Sequence, residues 1–167
     1  MSPVLILQPQ FADGPAYLAT HLQAAGCSFT VCAVEAGDEV PLDAAPWAGI
    51  AMLGGSMSVN DDLRWLGRAE RLLRDAVARG VPVLGHCLGG QMLAKALGAT
   101  VSDNAVPEIG WSRIHRHDLD LARAWFGEAP DLPVYQWHSQ TFGLPAGATL
   151  LASNAACAHQ AFAVGPH

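Results

Sequence analysis

The sequence predicts an α/β protein built on a doubly wound, mostly parallel open sheet flanked by helices. Short apolar runs at 4–7, 29–34, 49–53 and 81–84 alternate with segments of helical spacing, the pattern of consecutive βαβ units. Glycines and prolines punctuate the exits of these runs. The fourth run enters Gly85-His86-Cys87-Leu88-Gly89-Gly90-Gln91, a cysteine-bearing turn that leads into a further helical stretch.

The elements follow in order. Residues 4–7 are Val-Leu-Ile-Leu, suited to a central strand. Tyr17, Leu18, His21 and Leu22 give helical spacing over 14–25, stopped by Gly26. A strand at 29–34 is followed by a polar connection holding Gly37, Asp38, Glu39, Pro41 and Pro46, and then by the strand 49–53. Over 63–79, Leu66, Ala69, Leu73, Ala76 and Val77 form one apolar stripe, with Arg68, Glu70, Arg71, Arg74 and Asp75 on the other faces, so an amphipathic helix closed by Gly80 is expected. Beyond Gly98 the pattern turns β-like, with runs at 111–114, 134–137, 149–152 and 158–164 between turn-rich pieces. No linker, repeat or low-complexity tract interrupts residues 1–167, which are read as a single domain.

Composition bounds the function. A chain of 167 residues, 51% apolar, can bury a sizeable core. Its net charge of −6 and the absence of a basic patch argue against nucleic acid as a partner. Cys27, Cys32, Cys87 and Cys157 are scattered without C-x-x-C spacing, the first residues lack a basic leader, and no apolar run reaches the length of a membrane span. A soluble cytoplasmic protein without membrane contact is the expectation.

Chemistry concentrates at Cys87. Glycines two residues before and two after it make a strained nucleophile elbow, in which a Cβ would strike neighbouring chain. The thiol sits at a strand end over a helix N-terminus, where backbone N–H groups favour the thiolate and a developing oxyanion. Doubly wound sheets bind ligands at the carboxyl ends of their strands, and the loop 54–62 after the third strand shares that position. This loop carries Gly54 and Gly55 but no Lys-Ser/Thr and no G-x-G-x-x-G, so a phosphate cradle is the weaker reading. His115-Arg116-His117 sets two imidazoles on one face without a third ligand; neither metal nor cofactor is assigned.

Four motifs taken together, Gly54-Gly55-Ser56-Met57-Ser58-Val59-Asn60-Asp61, Gly85-His86-Cys87-Leu88-Gly89-Gly90-Gln91, Glu108-Ile109-Gly110-Trp111 and Trp137-His138-Ser139-Gln140-Thr141-Phe142, resemble the class I glutamine amidotransferases. Within that family the likeness is to the stand-alone domains similar to the glutaminase part of guanosine monophosphate synthetase. The resemblance implies a flavodoxin-like architecture and cleavage of the glutamine side-chain amide through a thioester on Cys87, with ammonia released to a synthase or other acceptor subunit. It places the N–H groups of Gly55 and Leu88 in the oxyanion hole, gives Gln91 a part in holding substrate, sets the segment Ser139, Gln140, Thr141 and Phe142 against its amino-acid end, and puts the loop of His138 near the substrate.

The family carries its base and orienting acid as His-x-Glu on the strand after the one that ends here. None of the seven histidines has Glu two residues on, and His167 comes too early to be the family residue. The chain is therefore read as truncated before that motif and impaired as a catalyst, since a lone thiol needs an adjacent base. On a strand, the His86 ring points away from Cys87, which leaves His138 as the best substitute base. Two other readings stand beside this one: a γ-glutamyl peptidase or hydrolase of the same fold, and a non-catalytic partner domain. A missing strand would leave a sticky sheet edge, so homo-oligomers are also expected.

Overall fold

The computed structural model describes residues 2–165 of the chain. These gather into two compact units, Met1–Leu97 and Gly98–His167. His167, set aside above as a catalytic base, lies outside the described residues.

The first unit is a parallel sheet flanked by helices. Its strands β1 (Val4–Gln8), β2 (Phe29–Ala33), β3 (Gly49–Met52) and β4 (Val83–Gly85) lie in the order β2-β1-β3-β4, with Val4 level with both Phe29 and Gly49, and Ile50 level with Val83. Helices α1 (Ala16–Ala24), α2 (Arg64–Arg79) and α3 (Leu88–Ala96) make the crossovers and the exit from β4. Strand periodicity explains the double winding: Ile6, Ala51 and Leu53 take Leu18 and Leu22 of α1 on one face, while Leu5, Leu7, Ile50 and Met52 are buried on the other. There α3 backs onto Met52.

Helix α2 buries Leu66, Ala69, Leu72, Leu73 and Ala76, and pairs Arg74 with Glu70 at 2.5 Å and Arg79 with Asp75 at 2.8 Å one turn apart. Its charged face is not simply solvated. Arg68 Nε donates to the Val40 carbonyl at 2.7 Å, and Asp75 accepts the Ala44 N–H at 2.9 Å, which ties the polar connection down.

The second unit is β-rich, as the pattern beyond Gly98 predicts, and its strands form a sheet of their own. Strands β5 (Val101–Arg116), β6 (Asp131–Phe142), β7 (Thr149–Ser153) and β8 (Ala161–Ala163) form an antiparallel sheet in the order β6-β5-β7-β8. The connections after β6 and after β7 are too short for parallel crossovers, which need a dozen or more residues, whereas the one from β5 to β6 is long enough and still returns antiparallel. The one helix among them, α4 (Asp120–Phe126), was not expected: at seven residues it shows too little periodicity to read. It folds because Leu121, Ala122 and Phe126 cover Leu151 and Ala163.

Strand β6 corrects one expectation, for His138 lies within it rather than in a loop, and residues 139–142 continue the strand. The pairing reaches Val101 opposite Phe142 because β5 absorbs a register irregularity between Asp103 and Glu108. No helix among the described residues is long and apolar enough to cross a membrane.

Candidate active site

In the first unit, the turn between β4 and α3 has the conformation expected of a nucleophile elbow. Cys87 has φ 53° and ψ −113°, one of two described residues other than glycine with positive φ. Holding a side chain there costs roughly 1–3 kcal/mol, and such strain collects at functional sites. Both flanking glycines are obligatory. A Cβ on Gly85 would lie 2.5 Å from the Gly89 carbonyl oxygen, and one on Gly89 only 2.0 Å from that of Met52. The turn is held by the N–H of His86 donating to Met52 O, that of Gly89 to His86 O and that of Gln91 to Cys87 O, at 2.9, 2.9 and 3.1 Å. Gln91 is buried on α3 one turn beyond the cysteine.

The loop after β3 closes on this turn. A Cβ on Gly55 would sit 2.9 Å from Leu88 Cδ2, and one on Gly54 would sit 3.6 Å from Cys87 Cβ. Backbone N–H groups of Leu88 and Gly55 both hydrogen-bond the Cys87 sulfur. The loop after β1 completes the group: Asp13 Oδ2 lies 3.6 Å from the same Gly54 position, and its charge acts on the thiol. Gln10 joins the two loops, donating to Asp13 Oδ2 at 2.6 Å and accepting from Ser56 N and Oγ at 3.1 and 3.0 Å. Sequence reasoning missed Gln10 and Asp13. The rule that doubly wound sheets act at strand carboxyl ends, applied to β1, would have flagged both.

Electrostatics reverse one expectation. Desolvation pushes the Cys87 pKa above that of an ordinary thiol, and the Asp13 carboxylate adds to the rise. The Leu88 and Gly55 N–H groups pull the other way without prevailing. By surface area Cys87 is an exposed residue, but protein atoms crowd its sulfur closely enough for burial to dominate. Among the other cysteines, Cys27 is exposed, whereas Cys32 and Cys157 are buried, and burial followed by the charge of Asp38 raises the Cys32 pKa.

In the second unit, Glu108 is a buried carboxylate fully engaged with donors. Asn154 Nδ2 donates to Oε1 at 2.6 Å, Gln160 Nε2 donates to Oε2 at 2.7 Å, and His138 Nε2 approaches Oε2 to 3.0 Å. That last approach is off the line of a hydrogen bond. His138 Nδ1 donates to the Gln140 carbonyl at 3.0 Å, since a carbonyl can only accept. His138 is thus tied inside its own unit.

Of the neighbouring residues, Ser139 is exposed and Gln140 Nε2 donates to Asp103 at 3.2 Å. Thr141 Oγ1 lies 3.2 Å from Cys157 Sγ, and buried Phe142 packs on Phe162 with ring centroids 5.1 Å apart. His115 meets Asp131 at 3.2 Å and His117 meets Ser153 Oγ at 3.1 Å, so each ring has a partner of its own. Among the described residues no three His, Cys, Asp or Glu side chains are grouped to hold a metal ion.

The family model for class I glutamine amidotransferases matches residues 16–163. The glutamine amidotransferase-like protein YfeJ of Salmonella typhimurium is 31% identical over 163 residues, covering 93% of this chain and 67% of that protein. A glutamine-hydrolysing GMP synthase subunit from Thermoplasma acidophilum is 31% identical over 117 residues, covering 68% of this chain and 55% of its own length. The crystal structure of a glutamine amidotransferase from Methylobacillus flagellatus superposes with a TM-score of 0.95 at 41% identity, over 99% of this chain and 66% of that one. The chain thus spans between about half and two thirds of the length of these proteins.

Proposed function

Because this chain belongs to the class I glutamine amidotransferase family, we propose that Cys87 is a nucleophile toward the side-chain amide of glutamine, and that the ammonia formed serves an acceptor on a partner subunit. The sulfur–carbon bond forms, the carbon–nitrogen bond breaks, and nitrogen leaves as ammonia with the thiol's proton. Water then attacks the thioester and returns glutamate and the thiol.

One observation carries the reading: two backbone N–H groups, of Gly55 and Leu88, aimed at the sulfur of a cysteine held at φ 53°. Donors that reach the sulfur also reach an oxygen on the carbon it attacks, and they need no reorganisation to do so. Gln91, buried on α3 one turn beyond the cysteine, has the substrate-binding part within this unit.

The raised thiol pKa and the lack of His-x-Glu in the sequence favour slow turnover by these 167 residues. Incubation with glutamine, with Cys87→Ala as the blank, should therefore give little ammonia, and the glutamine-like electrophile 6-diazo-5-oxo-norleucine should form its adduct on Cys87 ahead of the other cysteines by peptide mass spectrometry. An adduct forming first on another cysteine, or equal ammonia from the Cys87→Ala chain, would refute the assignment.

A further inference from the structure

The pair Gly54-Gly55 raises a physical problem, because two glycines in succession leave a loop with the greatest backbone freedom, yet the Gly55 N–H is aimed at the Cys87 sulfur. The next peptide plane is pinned. Gln10 Oε1 accepts both the Ser56 N–H, at 3.1 Å, and the Ser56 hydroxyl, at 3.0 Å. The same carboxamide is oriented by donating to Asp13 at 2.6 Å, and its loop is anchored where Glu35 accepts the Phe11 N–H at 2.6 Å. We propose that Gln10 is a positioning residue for the reaction at Cys87: its carboxamide locks the Gly55–Ser56 peptide, so that the Gly55 N–H stays directed at the reacting centre.

This inference rests on the reading of Cys87 as nucleophile and adds to it a residue 46 positions from the peptide it holds. A tether of this kind acts when negative charge develops on oxygen. It has no part in simple alkylation of sulfur, where no such oxygen forms. The two chemistries therefore separate positioning from mere stability.

The probes are L-glutamic acid γ-methyl ester, which acylates a thiol with loss of methanol, and iodoacetamide, both read at Cys87 by peptide mass spectrometry. In Gln10→Ala, water can solvate the freed Ser56 N–H, so the donor is loosened rather than removed. The ratio of acylation to alkylation should fall about 10-fold, below the 10²–10³ of deleting a donor outright. The loss should appear in the saturating rate, with the half-saturating ester concentration held within about 2-fold. If Gln10→Ala fails to fold by circular dichroism, Gln10→Met, equal in length and without the polar end, replaces it.

Rescue is tested with Gln10→Glu combined with Asp13→Asn, which keeps an acceptor for Ser56 and reverses the polarity of the bond between residues 10 and 13. The ratio should return to within about 3-fold of the parent. An unchanged ratio in the first variant, a parallel fall of both reactions, or failure of the rescue would overturn the role of Gln10. No acylation of Cys87 in the unsubstituted chain would instead overturn the nucleophile reading, and the role of Gln10 with it.

Discussion

Replacing Gly89 by alanine sets two effects of opposite sign against each other, and the structure says which wins. Gly89 lies in α3, where a glycine-to-alanine change ordinarily stabilises by about 1 kcal/mol. Here the new Cβ would lie 2.0 Å from the Met52 carbonyl oxygen and 2.7 Å from its carbon. Carbon and oxygen tolerate roughly 3.3 Å at closest, so α3 and β3 must separate by about 1.3 Å. Both sides are backbone, and no side chain can swing away. Overpacking of a well-filled interior costs about 1–3 kcal/mol, and a displacement this large belongs at or above the top of that range. The net loss is about 2 kcal/mol, or roughly 4–8 °C in midpoint for a chain of this length. Thermal unfolding followed by circular dichroism measures it. Gly67→Ala is the control: nothing lies within 4 Å of that Cβ in α2, so the change should stabilise by about 0.5–1 kcal/mol. A Gly89→Ala chain at least as stable as its parent would refute the close approach of α3 to β3, and with it the geometry of the elbow.

Two further outcomes are expected. Because burial and Asp13 hold the Cys87 pKa up, alkylation of Cys87 by iodoacetamide should climb with pH to a midpoint above the roughly 8.5 of a free thiol. Asp13→Asn removes only the smaller of those two causes, so it should lower the midpoint without bringing it to the free-thiol value, and should speed labelling at neutral pH; a rate profile that does not move would show that Asp13 exerts no field on the sulfur. In the second unit, Glu108→Ala leaves the Asn154 and Gln160 amides without their acceptor and should cost about 1–3 kcal/mol for each. Glu108→Gln keeps one acceptor oxygen and should cost less. Urea midpoints of the two variants measure this, and a Glu108→Ala midpoint equal to the parent's would show that the buried contacts contribute nothing.

Local order was legible in the sequence wherever it depends on near neighbours. Each of the four parallel strands coincides with an apolar run, and α2 declares itself through 16 residues of regular spacing. The elbow was equally plain, since G-x-C-x-G is a constraint on consecutive dihedral angles. Two features lacked such signals. Helix α4 is held by Leu151 and Ala163, far along the chain, and β6 carries His138 through residue 142 because a partner strand bends to meet it. Neither partner can be seen from the segment itself.

The sequence by itself determined that a cysteine would stand in a strained turn at the end of a parallel strand, because glycine spacing and apolar periodicity act within a few residues. Tertiary structure alone decided what surrounds that cysteine. Gln10, Asp13 and Ser56 come from two loops that meet only when β1 and β3 pair side by side. The need for glycine at 89 comes from Met52, a residue of another strand. The sign of the thiol's pKa shift followed the same division. A helix N-terminus and two N–H groups, readable from sequence, favour the thiolate, whereas desolvation depends on how many distant atoms the fold packs around the sulfur, and here it outweighs them.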